Sequence, residues 1–215
     1  MSDEFIREVD EEVRQERTQL LWKRYGRYVI ALAVVIVLAT AAGVFWRNYQ
    51  QQQRAADSHT FIEAVTLAGQ NEADSAIERL NALASDATPG YALLARLREA
   101  GVLAQKGDTD AAVVVYDRIA DDSGVGRVYR DFATLMAVMH QVDTIDADSA
   151  ETRLAGLLAS DNAWRYSARE LLAIAALRAG RTDRARELLE ANADDPDAPQ
   201  GVRARAAQLL ATLAA

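Results

Sequence analysis

Residues 28–46 form an apolar stretch of nineteen residues, YVIALAVVIVLATAAGVFW, without a single charge. As an α-helix rising about 1.5 Å per residue, this stretch would be roughly 28 Å long, close to the hydrocarbon thickness of a bilayer. Aromatic side chains, which favour the headgroup region of a membrane, flank it on both sides. They are Trp22, Tyr25, Tyr28, Phe45, Trp46 and Tyr49. The stretch therefore predicts one N-terminal transmembrane helix.

The basic residues around this stretch predict its orientation. Five of them, Arg14, Arg17, Lys23, Arg24 and Arg27, precede it. Only Arg47 and Arg54 follow it closely, and Lys and Arg are retained on the cytoplasmic side of a span. We therefore expect residues 1–27 to be a cytoplasmic segment and the chain after the span to be exported.

A cleaved signal peptide is the alternative to a permanent anchor. Ala39, Thr40 and Ala41 fit the small-residue pattern of a signal-peptidase site after an apolar core of about eleven residues. The charged leader of 27 residues and the apolar sequence that continues to Trp46 favour an uncleaved anchor.

Domain size, cysteine content and net charge limit what the exported part of the chain can bind. One span leaves about 170 residues, enough for one exported domain with its own core. The chain has no cysteine, which excludes disulfides and thiolate metal sites. Residues 1–27 hold seven acidic and six basic residues, so nearly all of the net charge of −8 lies in the remainder. An acidic domain repels nucleic acid and anionic headgroups, and the expected partners are proteins.

The N-terminal residues 3–22 predict an amphipathic helix. Ile6, Val9, Val13 and Leu20 recur at helical spacing among charged residues. The helix could dock or dimerise, or it could lie as a charged juxtamembrane helix at the surface. Glu16, at a position where a heptad requires an apolar residue, favours the surface helix.

The remainder of the chain predicts an all-α domain. Residues 47–60 are polar and lack Pro and Gly, which indicates a helical extension or linker. Residues 61–215 are rich in Ala, Leu, Arg and Glu, and glycines and the turn DDPDAP (194–199) interrupt them. No segment alternates as a strand would.

A repeat runs through residues 61–215. Its pattern is Asp-x-Ala with a large apolar residue four positions after the Ala, and the Ala-to-Ala spacings are 36, 38 and 35. The alanines are Ala76, Ala112, Ala150 and Ala185, followed by Leu80, Tyr116, Leu154 and Leu189. A second series, Tyr91, Tyr129 and Tyr166, has Leu six positions later and precedes three of these alanines by 21, 21 and 19 residues. We expect helical hairpins in which the small Ala on the second helix permits close packing, stacked into a solenoid with a groove.

The hairpin turns resemble tetratricopeptide repeats. GDTDAA (107–112) with Tyr116, and GRTDRA (180–185) with Leu189, resemble the turn into the second helix of that repeat. Ala100 and Ala173 occupy its usual small position on the first helix, whereas its preferred Trp and its terminal Pro are missing.

The arrangement of the whole chain resembles a narrower family. The span ending in FWR (45–47), the helical extension, YALLA (91–95), AWR (163–165), LL (171–172) and AG (179–180) are similar to the ancillary SecYEG translocon subunits, the YfgM-like proteins. The resemblance implies a single-pass inner-membrane protein with a cytoplasmic N-terminus and a periplasmic tetratricopeptide-like domain at 61–215. It implies association with the Sec translocon and periplasmic chaperones in support of newly exported polypeptides. It implies no catalytic residue and no cofactor.

Polar clusters that could carry chemistry have simpler explanations. His59 and His140 lie far apart in the sequence without a recognised ligand spacing, so no metal site is expected. Asp143, Asp146 and Asp148 lack the Gly and the closing Glu of a calcium loop, and helix capping is predicted instead. The three aspartates of DDPDAP predict a solvated turn, and GVG (124–126) predicts a helix connection. We expect a protein that is not an enzyme.

One candidate protein-binding surface stands out. Phe132, Leu135, Met136 and Met139 form a stripe at helical spacing, and methionines adapt to varied partners. The stripe could line a binding groove or belong to the core. Two functions follow: a membrane-anchored adaptor, or a self-assembling scaffold for envelope or cell-division complexes. The partner, the oligomeric state and the role of a last helix at 202–213 stay open at this stage.

Overall fold

A computed structural model describes residues 2–213, with side chains for 23–213 except Val29 and Ala33. Within these residues every regular element is helical, which confirms the all-α prediction there. The helices are α1 (Ser2–Gly69), α2 (Ala73–Asp86), α3 (Pro89–Lys106), α4 (Thr109–Asp121), α5 (Arg127–His140), α6 (Ala147–Leu154), α7 (Arg165–Arg178), α8 (Thr182–Ala193) and α9 (Gln200–Leu213). A 3-10 helix, Ala155–Leu158, follows α6. The N-terminal stripe of Ile6, Val9, Val13 and Leu20, and Trp22, fall outside the described side chains.

The chain divides into two compact units, one ending at Gln53 and the other beginning at Arg54. In the first unit, α1 contains the predicted apolar stretch. Its most apolar 18-residue window has a mean hydropathy of 2.6 and none of it is buried. By length and composition, α1 is therefore a candidate membrane-spanning helix.

The second unit is a series of helical hairpins. Residues 54–69 of α1 pair with α2, and then come α3 with α4, α5 with α6, and α7 with α8. The four repeat alanines all lie on second helices and are completely buried, and the apolar residues four positions later are at most 3% exposed. This confirms the sequence register, since only a small side chain permits such close approach of the first helix.

Three hairpins reverse through a residue in the left-handed conformation. These residues are Asn71 (φ 66°), Gly107 (φ 95°) and Gly180 (φ 72°). A left-handed residue after a helix lets its amide bond back to the last carbonyls while the chain turns, and Gly adopts it without Cβ strain. The α5–α6 connection differs, because Asp146 there accepts a hydrogen bond from the backbone N–H of Ser149 at 2.8 Å. This confirms the predicted capping role of Asp146.

The hairpins stack so that first helices neighbour first helices. The rings of Phe61 (α1) and Tyr91 (α3) lie 6.2 Å apart, and Phe132 (α5) lies 5.1 Å from Trp164, which precedes α7. Between them, Ala100 of α3 shares a buried cluster with Ala133 of α5. The residues from 54 onward therefore contain one layer of first helices.

Second helices likewise contact second helices. Arg153 of α6 pairs with Asp117 of α4, and Arg184 of α8 pairs with Glu151 of α6 at 2.6 Å. The C-terminal helix α9 covers the last hairpin, because Ala206 is buried in the core that α7 and α8 form. Arg205 reinforces this contact by donating to both carboxylate oxygens of Glu170, at 2.6 and 2.8 Å. The last helix therefore caps the stack.

Candidate protein-binding face

Each first helix carries one stripe at the same distance from its repeat alanine. The positions 18, 14 and 11 residues before that alanine are four and three residues apart, so they share one side of a helix. We call the four stripes together the first-helix face. Its members are Ser58, Ile62, Val65, Leu94, Arg98, Gly101, Phe132, Met136, Met139, Ser167, Leu171 and Ile174.

All twelve positions are at least partly exposed, although eight of them are large apolar residues. Ile62 is 61% exposed, Leu94 45% and Met139 40%. Exposed apolar side chains that lie together on a domain are typical of protein–protein contact sites. The repeat register therefore places apolar, accessible side chains on one side of each first helix.

The four residues of the stripe predicted on α5 differ in their exposure in the structure. Met139 is exposed, Phe132 packs against Trp164, and Met136 lies partly buried against the core of α3, α4 and α5. Leu135 is only 6% exposed and belongs to the core that α5 shares with α6, α7 and α8. Phe132, Met136 and Met139 thus lie on the first-helix face, whereas Leu135 supports it from beneath.

Arg98 is the one charged residue among the twelve. No described carboxylate lies within 4.0 Å of its guanidinium, and its buried Nε has no hydrogen-bond partner within the part of the chain that the structure describes. Its neighbours on the stripe are Leu94, one turn before, and Gly101. A Cβ added at Gly101 would meet nothing within 4 Å, so there is open space beside the arginine.

The two helix layers differ in charge. The first helices, counted from residue 54, carry nine Arg or Lys and five Asp or Glu, a net charge of +4. The second helices carry five basic and eleven acidic residues, a net charge of −6. Within an acidic domain, the first-helix layer is therefore the cationic one.

A polar cavity of about 330 Å³ lies between α2, α3 and α4. Glu99, which projects into it from α3, is only 8% exposed. Burial raises the pKa of Glu99, while a hydrogen bond from Asn81 and the positive charges of Arg118 and Arg96 oppose that rise. Arg96 is itself held by Asp122 at 2.9 Å. The cluster joins three helices through one buried carboxyl group, which the sequence analysis did not identify.

The other polar residues considered in the sequence lie in structural contacts. His59 is 3.6 Å from Glu63 on α1, and His140 stacks on Tyr116, with ring centroids 5.7 Å apart. In the DDPDAP turn, Asp195 accepts hydrogen bonds from the Asp197 N–H and the Tyr166 hydroxyl. GVG connects α4 to α5, as predicted.

Comparison with known proteins identifies the repeat. Residues 20–125 match the family model of the tetratricopeptide repeat-like domain, a range that includes the apolar stretch and continues through α4. No curated protein and no solved structure matches the chain. Residues 20–125 therefore carry a tetratricopeptide repeat-like domain, a fold of protein-interaction scaffolds that is not typically enzymatic. The resemblance to the ancillary SecYEG translocon subunits stays a prediction.

Proposed function

We propose that this protein is a non-enzymatic, membrane-anchored adaptor that binds polypeptides through the first-helix face. One observation carries the proposal: a helix able to span a bilayer leads into repeats whose first helices all present accessible, mostly apolar positions. The match to the tetratricopeptide repeat-like domain supports it, because that match covers the apolar stretch together with the first two hairpins.

In this proposal the protein is a single-pass protein of the inner membrane. Residues 1–27 are cytoplasmic, 28–46 span the bilayer, 47–60 extend the helix, and 61–215 form the periplasmic domain. The excess of Arg and Lys before the span supports this orientation. The anchor retains the domain at the membrane across which exported chains emerge.

The partners we propose are the Sec translocon, periplasmic chaperones and newly exported polypeptides. The resemblance of FWR (45–47), YALLA (91–95) and AWR (163–165) to ancillary translocon subunits supports this assignment. The exposed Leu94 and Met139 fit it chemically, because chains that have not yet folded expose apolar segments.

Site-specific photocrosslinking in the membrane tests the proposal. A photoreactive residue replaces Met139 or Leu94 on the first-helix face. The matched control replaces Val114, which is 49% exposed on the second helix α4. We expect adducts with translocon subunits, chaperones or exported chains from the face positions and few from Val114.

Two results would count against the adaptor. Equal adducts from Met139 and Val114 would show that the first-helix face has no special role. Adducts with other copies of this chain alone, together with a stable oligomer in detergent at micromolar concentration, would favour the self-assembling scaffold.

A further inference from the structure

We infer that the segment bound by the first-helix face combines apolar residues with an acidic side chain, and that Arg98 pairs with that carboxylate. The inference rests on the proposed function, since it specifies the chemistry of the same surface. Its basis is the juxtaposition of one unpaired arginine with accessible apolar residues.

The position of Arg98 in the repeat explains why the side chain faces a partner. It stands fourteen residues before Ala112, and the equivalent residues in the other three repeats are Ile62, Met136 and Leu171. Three of the four occupants of this position are thus apolar. An arginine among them projects into the same surface and introduces the only formal charge of the first-helix face.

The charge of Arg98 lacks compensation inside the domain. Three of the other seven arginines of the first helices are paired with carboxylates, as Arg96 is with Asp122 at 2.9 Å, Arg127 with Asp131 at 3.5 Å and Arg169 with Asp195 at 3.8 Å. None of these seven lies on the first-helix face. Arg98 makes no such pair with a described residue, and its neighbour in sequence, Glu99, is buried and lines the cavity between α2, α3 and α4. A cation bordered by apolar groups attracts a carboxylate more strongly than one surrounded by water does.

Space beside Arg98 allows a partner to approach. Gly101, one turn later, leaves open volume where a side chain would otherwise stand. Leu94, one turn earlier, is exposed and offers an apolar contact. A carboxylate reaching the guanidinium would therefore be flanked by one apolar residue and one gap.

The net charges of the two helix layers also favour an acidic partner for the first-helix face. The first-helix layer has a net charge of +4 and the second-helix layer −6. Acidic segments are therefore steered towards the first-helix face, and basic segments towards the opposite layer. Neighbouring helices pack about 8–10 Å apart, so four first helices cover roughly 27 Å. About eight extended residues span that distance.

A peptide-binding measurement tests the inference. The full-length protein is placed in phosphatidylcholine nanodiscs and titrated with labelled 12-residue peptides of alternating apolar and polar residues. Three peptides differ only in two central positions, which are Glu, Gln or Lys. We expect the Glu peptide to bind about tenfold more tightly than the Gln peptide, as one charge-assisted hydrogen bond implies, and the Lys peptide to bind most weakly.

Variants of the arginine separate a specific pair from general attraction. Arg98→Met removes the guanidinium, keeps an unbranched side chain like the aliphatic part of arginine with a similar helix preference, and should abolish the preference for Glu over Gln. Arg98→Lys should retain part of it. The control is Arg118→Met, which removes an equal charge from the second helix α4 and should leave the preference unchanged. Thermal unfolding of each variant shows that the domain remains folded.

The outcomes distinguish this inference from the proposed function. Equal affinity for the Glu and Gln peptides, or an unchanged preference in Arg98→Met, overturns the role of Arg98 while the face still binds. Failure of all three peptides to bind contradicts both proposals. If nanodiscs with one quarter phosphatidylglycerol displace the Glu peptide from the native protein but not from Arg98→Met, the occupant is an anionic lipid and the polypeptide inference is wrong.

Discussion

Arg181 donates hydrogen bonds to both carboxylate oxygens of Asp148, at 2.6 and 3.0 Å, and so joins the turn of the fourth hairpin to the first turn of α6 in the third. Lys106 and Asp74 repeat this relationship between the second and first hairpins at 2.7 Å. At Asp74 and Asp148 the repeat aspartate therefore has two roles. It complements the N-terminal end of its own helix, and it binds the basic residue at the turn of the next hairpin.

Replacing Asp148 by Asn should destabilise the domain at neutral pH. The hydrogen bond and charge of Arg181 lower the pKa of Asp148, so this carboxylate stabilises the fold above its unfolded pKa. That contribution is lost as the pH falls below the ordinary value of about 3.9 and through the lowered folded pKa. The melting temperature of Asp148→Asn should be lower than that of the native protein at neutral pH, and the difference between the two should vanish at acidic pH.

Asp183→Asn is the matched control for this pair. Asp183 occupies the same repeat position at the start of α8, and within the described residues it makes no ion pair within 4.0 Å. Its substitution should reproduce only the loss of the helix-end interaction. Equal effects of Asp148→Asn and Asp183→Asn would show that the contact with Arg181 adds nothing.

Ala112→Leu should destabilise the stack strongly. Ala112 is completely buried where α4 meets α3, and overpacking a close helix contact costs about 1–3 kcal/mol. Ala111→Leu, one residue earlier on the exposed side of α4, introduces the same side chain with little effect. Chemical denaturation of both variants measures the difference, and similar midpoints would refute the role of the repeat alanine.

Gly107→Ala should destabilise the turn between α3 and α4. Gly107 has φ 95°, and an L-residue there is strained by roughly 1–2 kcal/mol. Gly101→Ala makes a useful contrast, because Gly101 lies inside α3 with open space around its Cβ position. That change should stabilise the domain by about 0.4–1 kcal/mol, so opposite shifts in melting temperature are expected.

Much of this architecture follows from the sequence because small residues recur at a fixed spacing. Ala76, Ala112, Ala150 and Ala185 predicted the second helices, and each is fully buried. Spacing alone did not separate core from surface on α5, where Leu135 is buried and Met139 is exposed. The packing of α7 beside α5 decides that difference, and such a contact depends on residues distant in the sequence.

The sequence predicts only part of the first-helix face. Helical spacing and the two adaptable methionines indicated Phe132, Leu135, Met136 and Met139, of which all but Leu135 lie on the first-helix face. Counting back from each repeat alanine would also have found Ile62, Leu94 and Arg98. Which of these side chains lack a partner depends on the neighbouring hairpins, as the pairs Arg96–Asp122 and Arg181–Asp148 show. The buried carboxyl group of Glu99 likewise requires three helices to form its surroundings.

Glu99→Gln should stabilise the domain at neutral and alkaline pH. Burial raises the pKa of Glu99, so the folded state binds the proton more tightly than the unfolded state. The stability contributed by the protonated carboxyl group is present below the unfolded pKa and lost as the pH rises through the folded pKa. The neutral amide avoids this loss. The melting temperature of the variant should exceed that of the native protein at pH 8, and the two should become equal at acidic pH. A lower melting temperature of the variant at pH 8 would contradict the prediction.

The orientation of the chain can be tested with single cysteines, because the native sequence contains none. Ser2→Cys and Ser160→Cys introduce one thiol before the apolar stretch and one in the exposed connection between the 3-10 helix and α7. In cells whose outer membrane has been opened, a membrane-impermeant maleimide should label Ser160→Cys at once and Ser2→Cys only after lysis, because the basic residues before the span retain the N-terminus in the cytoplasm. The reverse labelling pattern would contradict the proposal that the domain is a periplasmic adaptor. Labelling of both thiols in a protein released without detergent would show that residues 28–46 do not anchor the chain.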